Sequence, residues 1–201
     1  MTTGHVRIFM QNKNKKRLEI TKLCYTLILS EGFCNITVSQ IAKRANIAKG
    51  SIYKYFESKE DILFSLIKSI QDEYDLEVKS EIERAGSVKQ RVLALFTLCI
   101  KDDELNKNRR KIYKEFSSIC LSKSVEKMLA FQDEIKKRYI LWLREILSDG
   151  VKRGEIKESS IDLADGLFAM AEGVLLFPSY EPSILTHHLD VLFKLIKEER
   201  K

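Results

Sequence analysis

Apolar residues recur along this chain at intervals of three and four, the spacing that places them on one side of an α-helix. The first series is Ile20, Leu23, Cys24, Leu27 and Ile28, which leaves its helix at Gly32-Phe33. Val38, Ile41, Ala42 and Ala45 make a second, short series, and Ile52 with Phe56 marks a third helix over Lys49 to Phe56. Ser58 caps the next one, where Ile62, Leu63, Leu66, Ile67, Ile70 and Tyr74 follow with no breaker before Gly86. That predicts a helix of about 25 residues and about 38 Å. Ser87 to Ile100 carries Val88, Val92, Leu95, Phe96 and Cys99; Leu105 to Leu121 carries Ile112, Tyr113, Phe116, Ile119 and Cys120, with polar Lys101 to Arg110 between the two apolar series. A long helix from about Ser124 to Lys152 turns Met128, Phe131, Ile135, Tyr139, Trp142, Leu143 and Ile146 inward and stops at Gly150 and Gly154. Ser159 or Ser160 caps a helix over Ile161 to Phe177, ended by Pro178, and a last one follows Pro182 with Ile184, Leu185, Leu189, Leu192, Phe193, Leu195 and Ile196. Residues 1–12 carry little periodic signal and are expected to form a loose arm. The expected fold class is all-α.

The two short helices have their own chemistry. Thr37 with Gln40 three residues on has capping-box spacing, so the first should start at Val38. It breaks at Ala45-Asn46-Ile47, because Asn tolerates the left-handed backbone better than any residue but Gly. Ser39, Gln40, Lys43 and Arg44 then point outward from the first helix, and Lys49, Gly50, Ser51, Tyr53, Lys54 and Tyr55 from the second. The second helix is about 12 Å long, matched to a DNA major groove. Cations, hydroxyls and aromatic rings are the groups that hold phosphate oxygens and touch base edges. Two short helices joined by a tight turn, so equipped, read as a helix-turn-helix.

Ile20 to Leu63, with Gly32-Phe33, Thr37, Ile41-Ala42, the run GSIYKYF and Ser58-Lys59-Glu60 in order, resembles the N-terminal DNA-binding domain of the TetR family of transcriptional regulators. Asn46 stands where that family usually has Gly, and Ala48 where a capping Ser is common. The missing cap should weaken the start of the reading helix by about 1 kcal/mol. The resemblance implies a DNA-binding domain over residues 1–57, in which three helices form the helix-turn-helix unit, and a helical ligand-binding and dimerisation domain over residues 58–201. It also implies that the long helix from Ser58 carries displacement between the two. Thr37, Ser39, Arg44, Lys49, Gly50, Ser51, Tyr53, Lys54, Tyr55 and Lys59 are the candidate DNA-binding residues.

Charge agrees with this division. Residues 1–60 hold 11 Lys or Arg against 4 Asp or Glu, a balance of +7, and the remaining residues hold 24 against 25, a balance of −1. A basic domain beside a neutral one suits a polyanion partner, although a basic face also serves solvation. Lys13, Lys15, Lys16 and Arg17 either touch the DNA backbone or the adjacent minor groove, or solubilise the terminus. With two prolines and eight glycines the chain favours helix throughout, and 44% hydrophobic against 32% charged is ordinary for a soluble protein. Cys24, Cys34, Cys99 and Cys120 show no CxxC pairing and no histidine at ligand spacing, so no metal and no cofactor are expected. Cys24 and Cys99 read as core residues of a reducing compartment. No secretory leader and no apolar run near 20 residues is present, which points to the cytoplasm and away from the membrane. No Ser-His-Asp or Cys-His grouping, glycine-rich phosphate loop or paired carboxylates in apolar surroundings occurs, so an enzyme is not expected.

Phe96, Cys99, Tyr113, Phe116, Met128, Phe131, Tyr139 and Trp142 read singly as core residues, and as a set they resemble the ligand cavity of TetR regulators. Such cavities are apolar with a few orienting polar groups, and buried Tyr and Trp need partners. Ala164, Gly166, Ala169 and Gly173 are small residues inside one helix, where each Gly costs about 1 kcal/mol against Ala. Another helix backbone is therefore expected to approach. Gly166, Met170, Gly173, Leu185, Leu189 and Leu192 are the candidate residues of a two-fold, four-helix interface, as the resemblance implies. Glu172 is expected to make a ligand, interface or capping contact, and His187 and His188 to be exposed. The reading is a homodimeric, ligand-responsive regulator: a repressor that leaves a pseudo-palindromic operator when a small apolar or amphipathic molecule binds. The alternatives are a helical interaction or carrier protein, or a constitutive DNA-binding protein that senses nothing.

Overall fold

The computed structural model describes residues 3–123, 125–177 and 181–197. Among them are ten α-helices, one 3-10 helix and no strand. The chain divides into two compact units, one up to Gln71 and one from Asp72.

In the first unit, α1 (Thr3–Glu31), α2 (Val38–Arg44), α3 (Lys49–Ile52) and the start of α4 (Lys59–Arg84) enclose a core. Ile20, Cys24, Ile28, Phe33, Ile36, Ile41, Ile52, Phe56, Ile62 and Leu63 are all buried in it. The expected loose arm is wrong as to backbone, since α1 is helical from Thr3. Periodicity reports which side of a helix is buried, and no Pro or Gly between Val6 and Lys13 breaks one. α1 ends at Gly32, whose φ of 78° is open to Gly, and its N–H returns to the Ile28 carbonyl at 2.9 Å. Thr37 and Gln40 form the expected capping box. Asn46 takes the left-handed turn between the two short helices, with φ 52°.

α3 is shorter than the predicted Lys49 to Phe56. Ala48 supplies no side-chain cap, and after Ile52 the chain tightens into turns, with Tyr55 N–H to Ile52 O at 2.9 Å. Ser58 does cap α4, accepting the Asp61 N–H at 3.1 Å. α4 then runs unbroken through the point where the units divide.

The second unit packs the rest of α4 with α5 (Val88–Leu95), α6 (Thr97–Ile100), α7 (Glu104–Lys123), α8 (Glu126–Lys152), the 3-10 helix Glu158–Leu163, α9 (Ala164–Leu176) and α10 (Pro182–Leu195). The single helix expected over Ser87 to Ile100 breaks at Phe96, whose N–H is shared between Val92 O at 3.1 Å and Leu93 O at 3.2 Å. Gly150 lies inside α8 and does not stop it. A Cβ there would sit 2.7 Å from Val88 Cγ2, so only glycine lets α5 and α8 approach this closely. Gly154, with φ 65°, follows the end of α8. The helix expected from Ile161 begins as the 3-10 turn and becomes α-helical at Ala164. Ser124, expected to begin the long helix, and Pro178, expected to stop α9, lie outside the described residues. An antiparallel bridge between Ile156 and Lys197 ties the segment after α8 to the end of α10. No helix among the described residues is long and apolar enough to cross a membrane.

Candidate DNA-reading and effector sites

The reading face is built by α2 and α3. Ser39, Arg44, Lys49, Gly50, Tyr53 and Lys54 are exposed, and Ser51 and Tyr55 are half-buried, while Ile52 and Phe56 face the core. Thr37 is exposed too, but its hydroxyl serves the cap: it accepts the Gln40 N–H at 3.2 Å and donates to Gln40 Oε1 at 2.8 Å. Lys59 is corrected. Its ammonium donates to the carbonyls of Phe33 at 2.9 Å, Ile36 at 3.0 Å and Cys34 at 3.4 Å, and lies 4.5 Å from the Phe33 ring centre. Three donors facing three carbonyls leave none for a phosphate. Arg17, read with the basic cluster, is likewise turned inward, onto Tyr55 O, Ser65 and the Phe56 ring. Lys13 and Lys15 remain exposed.

The eight candidate ligand residues fall into separate groups. Tyr113, Phe116 and Phe131 form a chain of rings, 6.4 and 6.3 Å between centres, the second pair edge to face. Phe116 and Met128 are fully buried. Cys99 sits beside this group, its thiol 3.7 Å from the Ala171 carbonyl, and burial pushes its pKa up to about 12. Phe96 is buried at the α5–α6 break. Tyr139 and Trp142 pair farther along α8, with ring centres 5.1 Å apart, and meet α4: Tyr139 donates to Asp75 at 2.9 Å and Lys79 lies 5.0 Å from the Trp142 ring centre.

Of the eight, Tyr113 alone lines the groove of about 270 Å³ that the structure shows between α7, α8 and α9, with Leu129, Gln132, Ile135, Lys136, Phe168 and Glu172. Its hydroxyl donates to Glu172 at 2.7 Å. Burial holds the Glu172 carboxyl above the usual carboxylate range against the opposing pull of that bond. Burial, with the Glu172 charge beside it, also pushes the Tyr113 hydroxyl up. A second cavity, about 400 Å³, is lined by Tyr74, Glu77, Glu81, Lys101, Asn106 and Arg109 among others. Arg109 reaches across it to Glu77 with two bonds of 2.7 Å. Sequence reasoning missed both pairs, because it placed Arg109 in a polar connecting segment and left Glu172 without a partner; helical phase through Arg109 and Tyr113, four residues apart, is the signal that was present. Among the described residues no group of three His, Cys, Asp or Glu stands close enough to hold a metal ion.

Two candidate interface residues are corrected. Leu185 and Leu189 are fully buried within this chain, because α10 packs that face on α5 and α6. The apolar residues α10 turns out are Ile184, Val191 and Leu195, and Leu176 with Phe177 is exposed at the end of α9. Met170 and Leu192 are half-buried. Gly166 and Gly173 face open space in this chain. His187 and His188 are exposed as expected.

The family model for bacterial regulatory proteins of the tetR family matches residues 21–66, which span the described reader. The fatty acid metabolism regulator protein of Bacillus subtilis (strain 168) is 31% identical over 153 residues, covering 74% of this chain and 75% of that one. The transcriptional repressor KstR2 of Mycobacterium tuberculosis is 23% identical over 75% of this chain and 74% of its own. A solved structure of the regulator FadR from Bacillus subtilis in complex with stearoyl-CoA superposes with a TM-score of 0.66 at 26% identity, over 88% of this chain and 96% of that one. A TetR-family regulator from Cytophaga hutchinsonii superposes with a TM-score of 0.76 over 94% of this chain and 98% of its own, and at 15% identity it speaks for the fold alone. An all-helical chain whose capped, Asn-turned helix pair carries the family's motif, and whose likeness extends through three quarters of a full-length regulator, belongs to the TetR family of transcriptional regulators.

Proposed function

We propose that this DNA-binding regulator is a homodimeric repressor that leaves its operator when a long-chain fatty acyl thioester binds the second unit. The 31% identity to a fatty acid metabolism regulator over three quarters of both chains carries this reading. The structure supports it with the buried rings of Tyr113, Phe116 and Phe131 beside a groove whose rim offers Gln132, Lys136 and Glu172. Aromatic and aliphatic walls suit an acyl chain, and a cation with amide and carboxyl groups suits a polar head. A two-fold protein presents two equal readers, each to one half-site of a pseudo-palindrome. Ser39, Arg44, Lys49, Gly50, Ser51, Tyr53, Lys54 and Tyr55 carry the contacts. The effector acts on α4, which bears Tyr74 and Asp75 in the second unit and begins in the first. A hundredfold loss of operator affinity needs a differential of about 2.7 kcal/mol between the two states.

The test is selection of DNA from a random pool by the purified protein, with and without stearoyl-CoA. Recovery of one short inverted repeat, abolished by stearoyl-CoA, is expected; no enriched sequence at low salt would sink the regulator reading, and enrichment indifferent to acyl-CoA would sink the proposed effector. The latter result would favour a constitutive DNA-binding protein, to which the complete burial of Phe116 and Met128 lends weight. Gly173→Leu tests assembly: its side chain meets open space within one chain, so a fall to monomer in sedimentation places a partner there, and an unchanged wild-type-like dimer removes it from the interface.

A further inference from the structure

We propose that Arg17 is a positioning residue for DNA reading: it sets the exit of the reading helix from inside the first unit and contacts no phosphate. The proposal rests on α3 being the reading helix. α3 has four helical residues and no side chain at its start to fix it, so besides the burial of Ile52 against α2 its direction depends on what holds its far end. Three successive residues there are gripped by one ion pair. Arg17 Nη1 donates to the carbonyl of Tyr55, and the guanidinium centre lies 4.5 Å from the centre of the Phe56 ring. Asp61 Oδ2 accepts the N–H of Glu57 at 3.1 Å and lies 3.6 Å from Arg17 Nη1.

The other terminal nitrogen of Arg17 donates to Ser65 Oγ at 2.6 Å, which anchors the guanidinium to α4. The Asp61 side chain is 6% exposed, so the pair is screened less than one in open water. The Arg17 charge, counted in the basic balance of the first 60 residues, is thus met locally by a carboxylate. The planar fork spans Tyr55 O and Ser65 Oγ from two nitrogens set apart by the guanidinium plane, which lies over the Phe56 ring; the compact ammonium of a lysine carries the same charge without that span.

The test compares Arg17→Lys, Ser65→Ala, Lys54→Ala and the wild type in equilibrium binding across a salt series. The probes are the duplex that wild-type protein recovers from a random pool, and poly(dI-dC). Arg17→Lys is expected to bind the recovered duplex about tenfold more weakly, the equivalent of one lost charge-assisted bond. Its log-log salt slope and its affinity for poly(dI-dC) are expected to match wild type, since non-specific binding is carried by phosphate contacts. Ser65→Ala should show the same pattern at severalfold. Lys54→Ala should flatten the slope by about one unit; no change there would defeat the reading of α3 while leaving the grip on its exit to the other variants. Arg17→Lys binding both probes as wild type does would overturn the proposal, and so would a loss shared equally by the two probes. Should Arg17→Lys fail to fold, Ser65→Ala decides alone, and wild-type selectivity in that variant overturns it.

Discussion

The two inward cations of the first unit and three side-chain pairs of the second make different kinds of polar contact. In the first, Lys59 donates to the main-chain carbonyls of Phe33, Cys34 and Ile36, and Arg17 to that of Tyr55 as well as to the Ser65 hydroxyl. In the second, the pairs join side chain to side chain: Arg109 to Glu77, Tyr113 to Glu172, Tyr139 to Asp75. Main-chain partners occur in the second unit as well, as where Arg110 donates to the carbonyls of Leu98 at 2.9 Å and Lys101 at 2.7 Å and Glu155 accepts the Val88 N–H at 2.8 Å. A carbonyl cannot titrate or swing away, so a cation on it fixes backbone. A carboxylate on a rotatable stem accepts whatever donor is offered, including one from a ligand. The cation-to-carbonyl bonds of Lys59 and Arg17 therefore fix backbone, whereas Glu77, Glu172 and Asp75 meet their partners from rotatable stems.

If that contrast lies in the polar contacts and not in the cores, deleting a buried ring should cost alike in both. Phe116→Ala and Phe56→Ala are each expected to lose about 3–5 kcal/mol in urea unfolding. A difference between them larger than their own size would break the comparison. Next comes Lys59→Met, which keeps the apolar stem over Phe33 but leaves three carbonyls without their donor. About 2 kcal/mol of stability should go, more than Tyr113→Phe costs in the second unit, as read by thermal unfolding of both variants under the same conditions. A smaller effect, of opposite sign, is expected for Ala48→Ser. It supplies the missing cap and should add about 1 kcal/mol, visible as slower amide exchange at Gly50 and Ser51.

The smallest effect sharpens the contrast by pH. The raised carboxyl of Glu172 means the folded state binds that proton more tightly than the unfolded chain. Stability from this group is therefore present at low pH and is lost as pH rises from the ordinary carboxylate range through the raised folded value. Glu172→Gln keeps an acceptor for Tyr113 and should flatten that fall, leaving the variant slightly more stable near neutrality. A pH profile of melting temperature parallel to wild type would show that the carboxyl has no such influence.

The same contrast explains what the sequence disclosed. The caps at Thr37 and Ser58, the turn at Asn46 and the uncapped Ala48 are local signals, readable because their partners lie within four residues. The inward roles of Arg17 and Lys59 were not readable, because a cation near a DNA-binding motif looks the same whether it faces phosphate or a carbonyl 38 or 26 residues away. In α10 the periodicity identified an apolar helix but not its phase. Leu185 and Leu189 point inward and Ile184, Val191 and Leu195 outward, and so many apolar positions occupy the helix that sequence alone cannot choose between the two stripes. Gly150 looks like a stop in the sequence although its role is steric, since the atom it makes room for belongs to Val88.

The distribution of thiols turns the protein into its own ruler. Cys34 is exposed, while Cys24, Cys99 and Cys120 are buried, and burial pushes the first two of those up to about 12 and raises the third. At neutral pH a maleimide probe should attach at Cys34 in the native protein and at the other three only after denaturant is added. The residue sits in the turn before α2, where its own carbonyl accepts from Lys59 at 3.4 Å, so a dye or spin label there is attached a few residues ahead of the reading helix pair. In the proposed dimer, two such labels would report the span between the half-site readers as one distance, and its change on adding stearoyl-CoA would be a direct measure of how far an effector moves them.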